Sequence, residues 1–166
     1  MIRAGTDAAP GRRRDRGGMS KIVVGIDGSP ASTEALKWAV GEARLRDAEL
    51  HAVHTWQFPT MAETYPGIGS ISSEVFDGMR SAAEAALETA LDAADTSGIK
   101  VTTEVAEGSA AQTLLEAAAS ADLLVVGSRG RGGFSGLLLG SVSQQCAQHA
   151  PCPIVIVRAR PDKPSS

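Results

Sequence analysis

The chain has 166 residues, 43% of them hydrophobic and 21% charged, and its 16 Lys and Arg against 19 Asp and Glu leave a net charge of −3. That length suits one domain with a core of its own, and no apolar stretch approaches the roughly 20 residues of a membrane span. Cys146 and Cys152 are too few and too unpatterned for a disulfide framework or a zinc site, and His51, His54 and His149 show no ligand spacing with a carboxylate or thiol.

The first 18 residues stand apart: they are rich in Gly and Arg, hold five Arg and two Asp, and lack the apolar run of a secretory signal. Residues 1–19 read as a disordered tail or a start placed too early, with a nucleic-acid-binding arm as the alternative. Without the first 18 residues the balance is 11 basic against 17 acidic, a net of −6, which speaks against a nucleic-acid surface on the body.

Residues 22–26 form a nearly unbroken, β-branched apolar run, the mark of a strand buried on both faces. Ser29 followed by Pro30 reads as an N-cap with proline at the first helical position, and Ala35, Leu36, Ala39, Val40 and Ala43 then recur with helical period. A second strand spans 50–55. The stretch 56–71, with Pro59, Pro66, Gly67 and Gly69, reads as a long loop. The next helix carries Val75, Met79, Ala82, Ala83, Ala86, Leu87, Ala90 and Leu91 on one stripe, and Gly98 is expected to end it. Val101, Thr103 and Val105 alternate with polar residues, so the third strand is expected at a half-exposed edge. Ser109 and Gln112 have the spacing of a capping box for a third helix, with Leu114, Leu115 and Ala118 inward. Residues 122–126 form a fourth strand, 142–149 a fourth helix and 154–157 a last, continuously apolar strand. Strands linked in this way by helices predict a mainly parallel α/β sheet of five strands with right-handed crossovers.

The densest signal lies between the fourth strand and the fourth helix: Gly127-Ser128-Arg129-Gly130, nine residues, then Gly140-Ser141. Strand, glycine loop and helix together bind phosphate, because glycines let backbone approach an anion and a helix N-terminus offers unpaired N–H groups. No Asp or Glu occurs from Gly127 to Cys146, whereas Arg129 and Arg131 do. The loop lacks the Lys of a P-loop. The dinucleotide fingerprint fails at Ser135, and Leu137 stands where a nucleophile elbow needs glycine.

The spacing that fits, G-x2-G-x9-G-S, resembles the nucleotide-binding signature of the universal stress protein family. Residues 21–29, KIVVGIDGS, are similar to that family's first strand with its terminal Asp27, and 151–157, PCPIVIV, to its last; the resemblance covers 20–158. It implies an open, Rossmann-like sheet of the adenine nucleotide alpha hydrolase type, with helices on both faces and strand order 3-2-1-4-5. The expected domain is then 20–159, with tails at 1–19 and 160–166. It also implies a homodimer through the last strand, whose apolar edge needs a cover.

In that order ligands bind where the sheet reverses direction, between strands one and four, so Asp27 and Gly127 line one crevice. Asp27 beside a phosphate loop would repel phosphate, and it is expected to meet ribose hydroxyls or adenine; the alternative is a turn-former with Gly28 and Ser29. Gly127, Gly130 and Gly140 are expected to close around the phosphates. Ser141 either caps the fourth helix with Gln144 or contacts phosphate. By resemblance Ser141, Val142 and Ser143 belong to the phosphate side along with Ser128. Arg129 and Arg131 either add charge-assisted contacts or are solvated. Resemblance alone places Thr55 at the adenine through its backbone, and Gly25 and Ile26 beside the ribose. The implied function is a cytoplasmic, ATP-binding stress-response regulator or sensor, with or without Mg²⁺. Slow ATP hydrolysis and cyclic AMP binding are the alternatives.

Overall fold

The computed structural model describes residues 20–57, 73–132 and 138–159; both expected tails and most of the expected loop at 56–71 lie outside these residues. Along the chain run β1 (Lys21–Ile26), α1 (Pro30–Arg46), β2 (Glu49–Trp56), α2 (Ser73–Ala93), β3 (Val101–Glu107), α3 (Ala110–Ala118), β4 (Leu123–Gly127), α4 (Ser141–His149) and β5 (Ile154–Val157). The strands pair in the order β3-β2-β1-β4-β5, every pair parallel. Val24 of β1 lies between Ala52 of β2 and Val125 of β4, so the centre of the sheet is aliphatic on all three strands.

Alternation along each strand divides the core into two layers. Ile22, Val24 and Ile26 pack with Leu36 and Val40 of α1 and Leu87 and Leu91 of α2. Val23, Val53, Leu124 and Val126 pack on the other face with Leu114 of α3 and Cys146 of α4. Burial pushes the Cys146 thiol up to about 11.

Local signals set the helix ends. The Ser29 hydroxyl accepts the Ser32 N–H at 3.2 Å, and Pro30 fills the first helical position of α1. The chain leaves α1 through Asp47, a left-handed residue at φ 50° whose N–H returns to the Ala43 carbonyl. Ser109 caps α3 by accepting the Gln112 N–H at 3.4 Å, but the Gln112 side chain reaches forward to Glu116, so only half of the expected box forms. Ser141 is the first residue of α4 and Gly140 its N-cap, without any side-chain cap bond; the capping box expected from Ser141 and Gln144 is absent.

Two expectations for α2 need correction. Its buried stripe is only Ala83, Leu87 and Leu91, while Val75, Ala82 and Ala86 are exposed. The helix lies over β2 and β3 at the margin of the sheet, where one residue per turn suffices to seal the contact. Gly98, at φ 78°, belongs to the turn before β3, and α2 has already ended at Ala93.

At the edges, β3 has no fully buried residue, as its alternation predicts. In β5 the side chains divide between the layers: Val155 and Val157 pack toward α1, and Ile154 and Ile156 toward α4. Both faces of β5 thus meet apolar layers, while all four of its residues stay half-buried.

Leu36 is 1% exposed at the centre of the α1 layer. Leu36→Ala should cost about 3 kcal/mol of unfolding free energy, read by urea titration, with no change in secondary structure by circular dichroism.

Candidate functional site

β1 and β4 are neighbours, yet the chain leaves them toward opposite faces: α1 follows β1 onto one layer, and α4 follows β4 onto the other. A crevice opens between the two departures, beyond the carboxyl ends of the strands. It holds a narrow, open-mouthed cleft with a cavity volume of about 60 Å³. Gly25, Val53, Leu114 and Val126 make an apolar slot at its base, while Asp27, Ser32, Thr55, Arg129 and Gly130 bring polar groups to it.

Glycine gives the slot its depth, since a Cβ on Gly25 would stand 3.0 Å from a Leu114 methyl. Asp27 follows β1 directly, and its Oδ1 accepts the Ser29 N–H at 2.9 Å, closing a turn through Gly28 at φ 77°. Asp27 thus forms the turn and also keeps Oδ2 toward the loop, where a Cβ on Gly130 would come within 2.6 Å of it.

Bonds on Ser128 hold the glycine loop. Its N–H donates to the Val157 carbonyl at 2.7 Å, and its carbonyl accepts the Gly140 N–H at 2.7 Å and the Ser143 hydroxyl at 2.8 Å. Ser143 also lies 3.0 Å from the Gly140 carbonyl. Ser128 and Ser143 are buried, so their side chains face the loop's interior, whereas Ser141 is exposed and Val142 lines the cleft.

The glycines of the loop are needed for a reason other than backbone torsion. The left-handed glycines among the described residues are Gly28, Gly98 and Gly108, not Gly127, Gly130 or Gly140. A Cβ on Gly127 would lie 2.8 Å from both the Ala31 carbonyl carbon and the Ser32 nitrogen, in the first turn of α1. Gly140 has more room, its nearest contact being the Arg129 Cα at 3.4 Å. Arg129 lines the cleft, and the Arg131 guanidinium lies against Gly28 across the crevice mouth.

Ser32, Ala110 and Val142, from the first turns of α1, α3 and α4, all line the cleft, so three helix N-termini direct partial positive charge into it. Asp27 is the one acid among the described lining residues. An apolar slot that opens toward N–H groups and arginines can hold a flat, weakly polar ring joined to an anion.

Of the expected residues, Gly25, Ile26, Asp27, Thr55, Gly127, Arg129, Gly130 and Val142 come together around this cleft. Ser32, Val53, Ala110, Leu114 and Val126 also line it and were not anticipated. Val53 was accessible from strand periodicity, being two residues from Thr55 and on the same face. Leu114 shows only a core pattern in sequence. His54 points away from the cleft, with Nδ1 bonded to the Ile26 carbonyl at 2.8 Å.

The model of the universal stress protein family matches residues 19–158. Universal stress protein Rv2624c of Mycobacterium tuberculosis is 34% identical over 150 residues, which cover 89% of this chain and 52% of that protein. Universal stress protein MJ0531 of Methanocaldococcus jannaschii is 34% identical over 141 residues, 83% of this chain and 81% of that protein. The chain spans about half the length of the mycobacterial relatives it matches. Among solved structures, a universal stress protein in complex with cAMP is 27% identical, with 85% of this chain and 98% of that chain covered and a TM-score of 0.63.

The clearances separate two glycines of the loop. Gly127→Ala should lower unfolding free energy by about 1–3 kcal/mol in urea, because backbone of α1 must move, whereas Gly140→Ala should cost less, about 0.5–1 kcal/mol, from the weaker N-cap of α4.

Proposed function

The chain belongs to the universal stress protein family, and from that premise we propose that it binds an adenine nucleotide in the β1–β4 crevice, ATP first among the candidates. Its role is that of a cytoplasmic stress-response sensor or regulator, and residues 20–159 form the binding domain. The observation that carries this reading is the union of an apolar slot with a loop and helix end free of acidic residues.

The base is assigned to the slot over Gly25, Val53, Leu114 and Val126, with the Thr55 backbone at its edge. Ile26 and Asp27 take the ribose, Oδ2 being the carboxylate oxygen not used by the Ser29 N–H. The phosphates go to the backbone of Gly127, Gly130 and Gly140 and to the Ser141 hydroxyl. N–H groups at the start of α4, which no side chain caps, add donors. Arg129 and Arg131 supply countercharge, with or without Mg²⁺. Ser128 and Ser143 serve this site by holding the loop in shape.

No general base is assigned. Asp27 belongs to the ribose side, and slow ATP hydrolysis is the alternative activity. Cyclic AMP is the second ligand reading, and the solved relative that carries it supports it.

Calorimetric titration of the full chain with ATP, 2′-deoxy-ATP and cyclic AMP tests this assignment. ATP should bind saturably, and loss of the 2′-hydroxyl should cost about tenfold in the wild type and little in Asp27→Ala. Uptake of cyclic AMP in place of ATP would establish the second reading. Folded protein that takes up neither would overturn nucleotide binding.

We also propose a homodimer through β5, which leaves one backbone edge open to antiparallel pairing. Equilibrium sedimentation at micromolar concentration should return twice the chain mass, and a monomer mass would refute it.

A further inference from the structure

We propose that Ser29 is the positioning residue of the crevice: its one hydroxyl caps α1 and also fixes the glycine loop against the Asp27 side, at the separation that a nucleoside phosphate requires. The proposal rests on the nucleotide reading given above.

Ser29 is 4% exposed, and its Oγ has two partners. It accepts the Ser32 N–H at 3.2 Å, the ordinary work of an N-cap. It then donates its proton to the Arg129 carbonyl at 3.2 Å, a residue 100 positions further along the chain. A cap needs only an acceptor, and Asp or Asn would supply one. A buried hydroxyl that also donates to the loop does something that capping leaves unexplained.

The other ties on the loop run elsewhere. Ser128 is bonded to β5 through Val157 and to the start of α4 through Gly140 and Ser143. The Ser29 hydroxyl is the described tie from the loop to α1. One residue after Arg129, Gly130 lies against Asp27 Oδ2, and the Ser29 N–H itself holds Asp27 Oδ1. Backbone N–H and side-chain hydroxyl of one residue therefore grip the ribose side and the phosphate side of the crevice. Loss of the hydroxyl frees the loop at Arg129 while Asp27 stays in place, so the distance between the two halves of the ligand site is no longer set.

Ser29→Gly separates the two roles, because glycine is itself a tolerable N-cap, so that most of the drop in thermal midpoint, about 2–5 °C, comes from the lost bond to Arg129. Ser29→Thr keeps both acceptor and donor. Two measurements on the full chain then judge the proposal. Amide hydrogen exchange without ligand should speed up at residues 129–132 and 140–142 in Ser29→Gly and return to the wild-type rate in Ser29→Thr. ATP affinity should fall roughly three- to tenfold in Ser29→Gly with adenosine affinity unchanged, since adenosine does not use the loop, and Ser29→Thr should restore it. Unchanged exchange in Ser29→Gly, or equal losses for ATP and adenosine, would overturn the positioning role. Faster exchange in Ser29→Gly, alongside a wild type that takes up no ATP, would uphold the tie to the loop and overturn the nucleotide reading instead.

Discussion

Gly127 ends β4 with its Cα pressed against the first turn of α1, at a distance where even a methyl group would meet backbone at 2.8 Å. Contact between two backbones leaves no flexible side chain to yield, so it fixes the position of the helix relative to the strand. α1 is thereby drawn across the end of the sheet, and its first turn brings Ser32 to the wall of the crevice. The loop that leaves Gly127 must turn outward, toward α4, and the cleft is the space between these two paths. Depth at the other end comes from the same device, a missing side chain at Gly25 that lets Leu114 close over the strand. At Gly127 packing against backbone, more than torsional freedom, forbids a larger residue, whereas at Gly25 the Leu114 methyl would have to give.

Much of this architecture is legible in the sequence because its signals are local. The run at 22–26 and the Ser29-Pro30 pair state a buried strand and a helix start with no help from the rest of the chain. The strand order is not local in that sense, and it came from resemblance to a family, which the sheet bears out. The misreadings share a cause. The apolar stripe of α2 is wider in sequence than in burial, because alanines satisfy helix propensity as well as packing, and periodicity cannot tell the two apart. Gly98 punctuates a turn, and a breaker several residues beyond a helix looks in sequence like one at its end.

Within the crevice, the residue types were legible and their duties were not. In sequence Asp27 reads as a ligand group or a turn-former, and in the fold Oδ1 closes the turn while Oδ2 faces the loop. The serines divide less predictably. Ser143, on the expected phosphate side, is turned inward to the Ser128 carbonyl, and Ser141 does not cap its helix. A hydroxyl can donate and accept at once, so sequence spacing fixes where it stands but not which partner takes its proton.

Cys146, buried in the α4 layer, has a further consequence for a member of a family named for stress. With its thiol pushed up to about 11 by burial, the sulfur is almost wholly protonated near neutral pH. The sulfur is also 0% exposed, sealed beneath the helix that begins at the glycine loop. Peroxides and thiol-capping metabolites find neither an ionised sulfur nor a path to it. Cys146 behaves as a small aliphatic wedge, and in an oxidising burst the half-buried Cys152, packed on the same layer, is the thiol of this face that reagents reach first.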